Sequence, residues 1–150
     1  MGETTARRWG YPVTACAACG FDPDARVLAS WTFTIEMPAA SLNVRSTNKG
    51  GRRFAYKKAR DQWHWWFRER RLALRIPVAR RRRRVMLTRL YTGRQKELDR
   101  DNLIGGLKLV VDALVREELL AGDDSARAEI HYRQVPARSS GLTVLLEELA

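Results

Sequence analysis

The alternation of hydrophobic and polar positions changes period along this chain, and those changes mark its elements. Val27, Ala29, Trp31, Phe33, Ile35 and Met37 are spaced two apart among mostly smaller or polar residues, the period of a strand with one buried face, and Pro38 stops it. From about Arg53 to Leu74 the period lengthens. Tyr56, Ala59, Trp63, Trp66, Phe67, Arg70 and Leu74 recur at helical spacing until Pro77 ends the element. Val85, Leu87 and Arg89 against Met86, Thr88 and Leu90 predict a second strand finishing near Gly93. In "LDRDNLIGGLKLVVDAL", residues 98 to 114, Leu103, Leu107, Val110, Val111 and Leu114 fall on one side of a second helix. "RAEIHYRQV" and "LTVLLEEL" predict two further strands, joined by "PARSSG", a turn-rich connection of the kind that links antiparallel neighbours. The order strand, helix, strand, helix, strand, strand predicts an α+β fold: a small mixed sheet with two main helices packed on one side. Residues 1–26, with Gly10, Pro12, Gly20 and Pro23 and no sustained period, read as an irregular extension, so the folded domain spans 27–150.

Composition is consistent with this plan, since 150 residues of which 45% are apolar suit one domain with its own core. The two cysteines, Cys16 and Cys19, are too few for a disulfide framework and favour a reducing, cytoplasmic setting. They could open a zinc site, but no second pair exists and His64 and His131 are isolated; small reduced thiols are the alternative. No apolar stretch approaches the roughly 20 residues of a spanning helix, and the N-terminus, with Glu3, Arg7 and Arg8, does not resemble a secretion signal. A soluble protein is expected.

Charge changes the picture more. The net charge is +11, and between Arg45 and Arg84 stand 16 basic residues against only Asp61 and Glu69, a local +14, while the remainder carries 12 basic and 15 acidic residues. One segment is therefore suited to phosphates and another concentrates carboxylates; a solvated basic face without a partner is the alternative for the first. The loop "AASLNVRSTNKGGRR" either offers Asn43, Arg45, Lys49, Arg52 and Arg53 to a nucleic-acid backbone or is a disordered connection, and Lys57 and Lys58 follow it on the first helix. The unbroken run Arg80, Arg81, Arg82, Arg83 and Arg84 repels itself too strongly to be expected inside, and reads as a mobile loop that grips phosphates or is simply solvated. The helical aromatics suit the core, with base-stacking platforms as the alternative, and a surplus such as Trp65 can lie outside.

The acidic residues raise the chemical question. In an extended segment Asp99 and Asp101 project to the same side. Asp101 or Asn102 can cap the helix that follows, which explains one acid and not both. Asp101, Gly105, Lys108 and Asp112 form a polar stripe apart from the core face. "LLAGDDSARAEI" places Asp123 and Asp124 just before a strand; if that strand lies beside the one that leads to Asp99, one of them can join the same site. Three carboxylates that close must protonate, stay hydrated or hold a cation, and an oxygen-only ligand set suits Mg²⁺, with Mn²⁺ as a substitute. A helix cap plus surface charge is the simpler alternative for an Asp-x-Asp pair alone.

Taken together, the apolar strand ending in "MPAASLN", the basic segment, "LDRDNLIGGLKLVVDAL" and "LLAGDDS" resemble the RusA family of Holliday-junction resolvases, over roughly residues 31 to 148. The resemblance implies a phage- or prophage-type homodimeric endonuclease that nicks four-way DNA junctions in recombination and repair, by Mg²⁺-dependent phosphodiester hydrolysis. It implies metal binding by Asp99, Asp101 and Asp124, with Asp123 as neighbour or substitute. The family lysine commonly lies four residues after the second motif aspartate, and Gly105 occupies that place; Lys108, one turn later on the same stripe, is the available replacement. Two rival functions remain: a branched-DNA-binding protein without catalysis, and a metal-dependent nuclease of broader range that cuts flaps or forks.

Overall fold

The structure is a computed structural model that describes residues 24–37 and 51–150, with the side chains of the first helix described from Phe54 onward. Its elements are β1 (Val27–Glu36), α1 (Gly51–Ala73), β2 (Arg83–Tyr91), α2 (Arg100–Arg116), β3 (Ala128–Pro136) and β4 (Gly141–Leu149). Asn43, Arg45, Lys49, Cys16 and Cys19 lie outside the described residues, as do the side chains of Arg52 and Arg53 and nearly all of the N-terminal extension.

The expected α+β architecture is present: four strands in the order β1-β4-β2-β3, with both helices feeding one core. The period-two pattern of the strands decides which face meets them. Register pairs Phe33 with Val144 and Ile35 with Leu142, then Val85 with Leu146 and Leu87 with Val144, so these side chains share one face. Against it pack Trp63 and Phe67 of α1 and Leu107, Val110 and Leu114 of α2, all almost wholly buried. Phe33 and Phe67 meet edge to face with centroids 6.2 Å apart, and Trp63 stacks on Phe67 at 5.4 Å. Gly141 belongs to this tight pairing, because a Cβ there would stand 2.7 Å from the Ile35 carbonyl oxygen.

The last two strands correct the sequence expectation. β3 and β4 are not neighbours: β4 inserts between β1 and β2, antiparallel to both, while β3 lies parallel to β2 at the edge. Burial explains the choice. β4 buries side chains on both faces and so occupies the interior of the sheet, whereas the second half of β3, with Arg133, Gln134 and Pro136, tolerates solvent.

The arginine run is the second correction. It is not a continuous exposed loop. Arg80 and Arg81 are exposed, Arg82 is half-buried and donates to the Ser125 carbonyl, and Arg83 and Arg84 open β2 with both side chains fully buried. Self-repulsion is overcome because consecutive strand residues point to opposite faces, where separate carboxylates meet them. Register sets Arg83 opposite Glu148, and Arg84 between Glu147 on one side and Glu129 on the other. Arg83 donates to Glu148 at 2.9 Å, to the Pro77 carbonyl at 2.9 Å and to the Leu119 carbonyl at 3.0 Å, with its guanidinium 5.0 Å from the Trp31 ring centroid. Arg84 donates to Glu129 at 2.7 Å and stands 3.7 Å from Glu147. His131 closes the group, its Nε2 2.7 Å from Glu129.

Burial pushes the Glu129 carboxyl up, but hydrogen bonds from His131 and Arg84 and the charges behind them outweigh it and hold the group below its ordinary 4.5. A carboxyl held low in the folded state adds stability that is full above pH 4.5 and is lost as the pH falls through the folded-state value. Glu129→Gln should therefore flatten the acid limb of the stability profile below that pH. Arg84→Met should cost about 3–5 kcal/mol in denaturant unfolding, since it strands buried carboxylates. Arg81→Met should stay within about 0.5 kcal/mol of the parent; equal effects of the two substitutions would contradict this placement.

Candidate functional site

The mouth of α2 is built before its acids are placed. Gln134 of β3 accepts from the Leu98 backbone N–H at 3.0 Å and donates back to the Leu98 carbonyl, while Arg89 donates to Gln134 and to the Lys96 carbonyl. These bonds fix the segment that enters the helix. Asp99 then caps it in an extended conformation, accepting from the Asn102 backbone N–H at 2.9 Å and from the Asn102 side chain. The backbone bond first, then the side-chain bond, lowers the Asp99 carboxyl below its ordinary 3.8. The cap is thus Asp99, where the sequence pointed to Asp101 or Asn102. Asp101 stands exposed in the first turn, and its carboxylate makes no hydrogen bond or ion pair with any described residue.

The predicted division of α2 holds in full. Leu103, Leu107, Val110, Val111 and Leu114 are buried, while Asp101, Gly105, Lys108 and Asp112 are exposed along one stripe. Lys108 Nζ is 3.1 Å from Asp112 Oδ1. That hydrogen bond first, and the charge behind it, raise the lysine, with Asp123 adding to the same direction. Tyr132 of β3 is raised by burial, against the pull of Lys108 and with Asp123 and Asp112 reinforcing the rise. Lys108, Asp112, Asp123 and Tyr132 therefore share one electrostatic neighbourhood. Asp112 and Tyr132 were not singled out from the sequence as members of a site. The i,i+4 spacing to Lys108 could have suggested the first; nothing local suggests the second.

Asp124 has a different task. Its Oδ1 accepts from the Ala126 N–H at 3.1 Å, its Oδ2 is 3.5 Å from Arg127 Nε, and its carbonyl accepts from the Ala128 N–H at 2.9 Å. It shapes the turn into β3.

The motif acids do not converge within one chain. β3 does lie beside β2, as convergence required, but it runs parallel to it, so the loop entering β3 lies at the opposite end of the sheet from the segment leaving β2. Gln134 marks the Asp99 end and Ala128 the Asp124 end, six strand residues or about 20 Å apart. Asp101 and Lys108 are separated by seven helical residues, about 10 Å of axial rise. Among the described residues no group of three or more His, Cys, Asp or Glu is placed to hold a metal ion. Within a single chain Asp124 therefore does not join Asp99 and Asp101 in one ligand set.

Of the expected phosphate contacts, Lys57, Lys58, Arg80 and Arg81 are exposed and Arg82 partly so; Arg83 and Arg84 are withdrawn into the sheet. No described helix is long and apolar enough to cross a membrane. Comparison with protein-family models and with characterised proteins returned no match.

Cap and charge can be separated at Asp99. Asp99→Asn keeps a competent cap and should leave the thermal unfolding midpoint near that of the parent, whereas Asp99→Ala should lower it. Equal midpoints for both variants would show that the cap contributes nothing.

Proposed function

We propose that this protein is a RusA-like, Mg²⁺-dependent endonuclease that acts as a homodimer on branched DNA, four-way junctions above all. The observation that carries the proposal is Asp101: it is exposed, unpaired with any described residue and not needed for a cap that Asp99 already supplies, so beyond the modest gain of a negative charge in the first turn its carboxylate is open to a cation. The exposed stripe behind it and the strand-helix order agree with the motif resemblance.

Asp99 and Asp101 share the mouth of α2 but Asp124 of the same chain stands at the other end of β3, so a three-carboxylate site of this type would take its third acid from a second copy. A twofold axis that sets the mouth of α2 in one protomer against the loop before β3 in the other would create two equivalent sites, as paired incisions in a junction demand. Lys108 is free to serve there. Its partner Asp112 is an exposed i,i+4 neighbour, a pairing worth only about 0.3–0.5 kcal/mol, which a phosphate can displace. Arg80, Arg81, Lys57 and Lys58 would hold the arms of the DNA through phosphates. Gly105, where the family carries lysine, faces open space: a Cβ there meets nothing within 4 Å.

The test is incubation of labelled four-way, forked, flapped and linear DNA with and without Mg²⁺. Junctions should be nicked only with Mg²⁺ and only at protein concentrations that support a dimer, and Asp101→Asn should lose cutting while binding persists. Equal cutting of forks and flaps would indicate the broader nuclease; binding unaffected by Mg²⁺ and never followed by cutting would indicate a non-catalytic DNA-binding protein. Gly105→Lys should fold normally and raise the cutting rate, and Lys108→Met should lower it. Unchanged rates for both would remove lysine from this stripe's chemistry.

A further inference from the structure

Away from the acidic stripe, α1 and the end of α2 enclose a cleft of about 340 Å³ that no step of the proposed cleavage uses. Arg60, His64, Trp65 and Arg68 line it from α1, and Arg116 and Glu117 from α2 and its C-cap. Trp65 is the unusual member. It is 61% exposed, whereas Trp63 and Trp66 of the same helix are packed edge to face at 5.1 Å. An indole that bulky left in water beside three guanidiniums offers a flat stacking surface next to positive charge.

We propose that this cleft binds an unpaired nucleotide of single-stranded DNA, with its base stacked on Trp65 and the adjoining phosphate held by Arg116. The inference rests on the proposed DNA partner and adds to it a second contact, specific for unpaired strand. The charges in the cleft select the ligand. Glu117 is buried and holds Arg68 through two hydrogen bonds of 3.1 and 3.2 Å, which fixes that guanidinium at the rim. Asp61, which also lines the cleft, takes up Arg60 at 3.4 Å. His64 is held below its ordinary 6.5 by burial and then by Arg116, against the pull of Glu117 3.5 Å away, which disfavours a further positive charge there. Two carboxylates thus face three arginines, and Arg116, exposed in the last turn of α2 and paired with no described residue, is the cation left over for an anion. The rival occupant is a second copy of this chain, because Phe54 and Leu72, 76% and 65% exposed, stand on the same stripe of α1 as Trp65. Two like surfaces, each with an unpaired arginine, would repel one another, whereas a phosphate neutralises it.

The experiment measures binding of the full-length protein to a short labelled oligothymidylate, and to a duplex of equal length, without Mg²⁺. Trp65→Ala should weaken single-strand binding at least about fivefold, Trp65→Phe much less, and neither should change duplex binding by more than about twofold. Arg116→Gln should reduce the slope of log affinity against log salt by about 0.7 on the single strand. Single-strand binding by Trp65→Ala within about twofold of the parent, or equal losses on both DNAs, would overturn the proposal. So would a lowered unfolding midpoint in Trp65→Ala, which would assign the ring to packing, or a dimer that dissociates in that variant while single-strand binding is unchanged. Failure here is distinct from failure of the nuclease: a protein that cuts junctions but binds single strands independently of Trp65 loses only this site. Trp65-dependent binding without any cutting removes only the catalysis.

Discussion

Two adjacent arginines, turned to opposite faces of β2 and each met by carboxylates from neighbouring strands, are the constraint on which the sheet depends. Arg83 finds Glu148 and two loop carbonyls; Arg84 finds Glu129 and Glu147. Buried ion pairs add little net stability over well-packed apolar residues, because desolvation offsets most of the attraction. Their effect is on register. A slip of one residue between β2 and β4 would turn every side chain of one strand to the other face, stranding both guanidiniums among apolar groups and leaving Glu147 and Glu148 without partners. Through the carbonyls of Pro77 and Leu119, Arg83 also ties the connections that follow both helices to the start of β2. The placement of α2, and hence of its polar stripe, follows from that.

The elements were legible because their periods are clean and their stops are chemical: Pro77 after α1, the capped entry to α2, Gly141 at the start of β4. The arginine run was not, because local self-repulsion is a one-dimensional criterion and the carboxylates that answer it lie 45 to 65 residues further on. A sequence signal did exist. Glu147 and Glu148 are adjacent in a mostly apolar strand, so one of them must face inward, and an inward glutamate requires a cation. Strand order was illegible for a related reason: a short turn-rich connection suggests a hairpin, yet burial on both faces sends β4 to the interior of the sheet and leaves β3 at its edge.

At the candidate site the helix faces were legible, whereas the distance between Asp99 and Asp124 within one chain was not. Periodicity separated Asp101, Gly105, Lys108 and Asp112 from the core face because a helix converts spacing directly into direction. Convergence of Asp99 with Asp124 depended on strand direction, which no local pattern encodes; the parallel β2-α2-β3 crossover sets them at opposite ends. The same crossover brings Asp123 toward Lys108 and Tyr132, a grouping visible only once β3 lies beside β2. Trp65 stands out in the sequence as a surplus ring, but Arg116 beside it comes from the other helix, 48 residues beyond Arg68, and spacing alone does not group them.

The interior position of β4 has a consequence for how the chain acquires this shape during synthesis. β1 touches the rest of the sheet only through β4, and β2 lacks one whole edge until β4 arrives. The helices and the β2-β3 pair can form before β4 is available, but β1 keeps an unpaired edge until Gly141–Leu149 reaches it. The sheet is therefore completed only when β4 arrives, and until then the nascent chain carries an unpaired, partly apolar strand, the state in which a chaperone has most to protect.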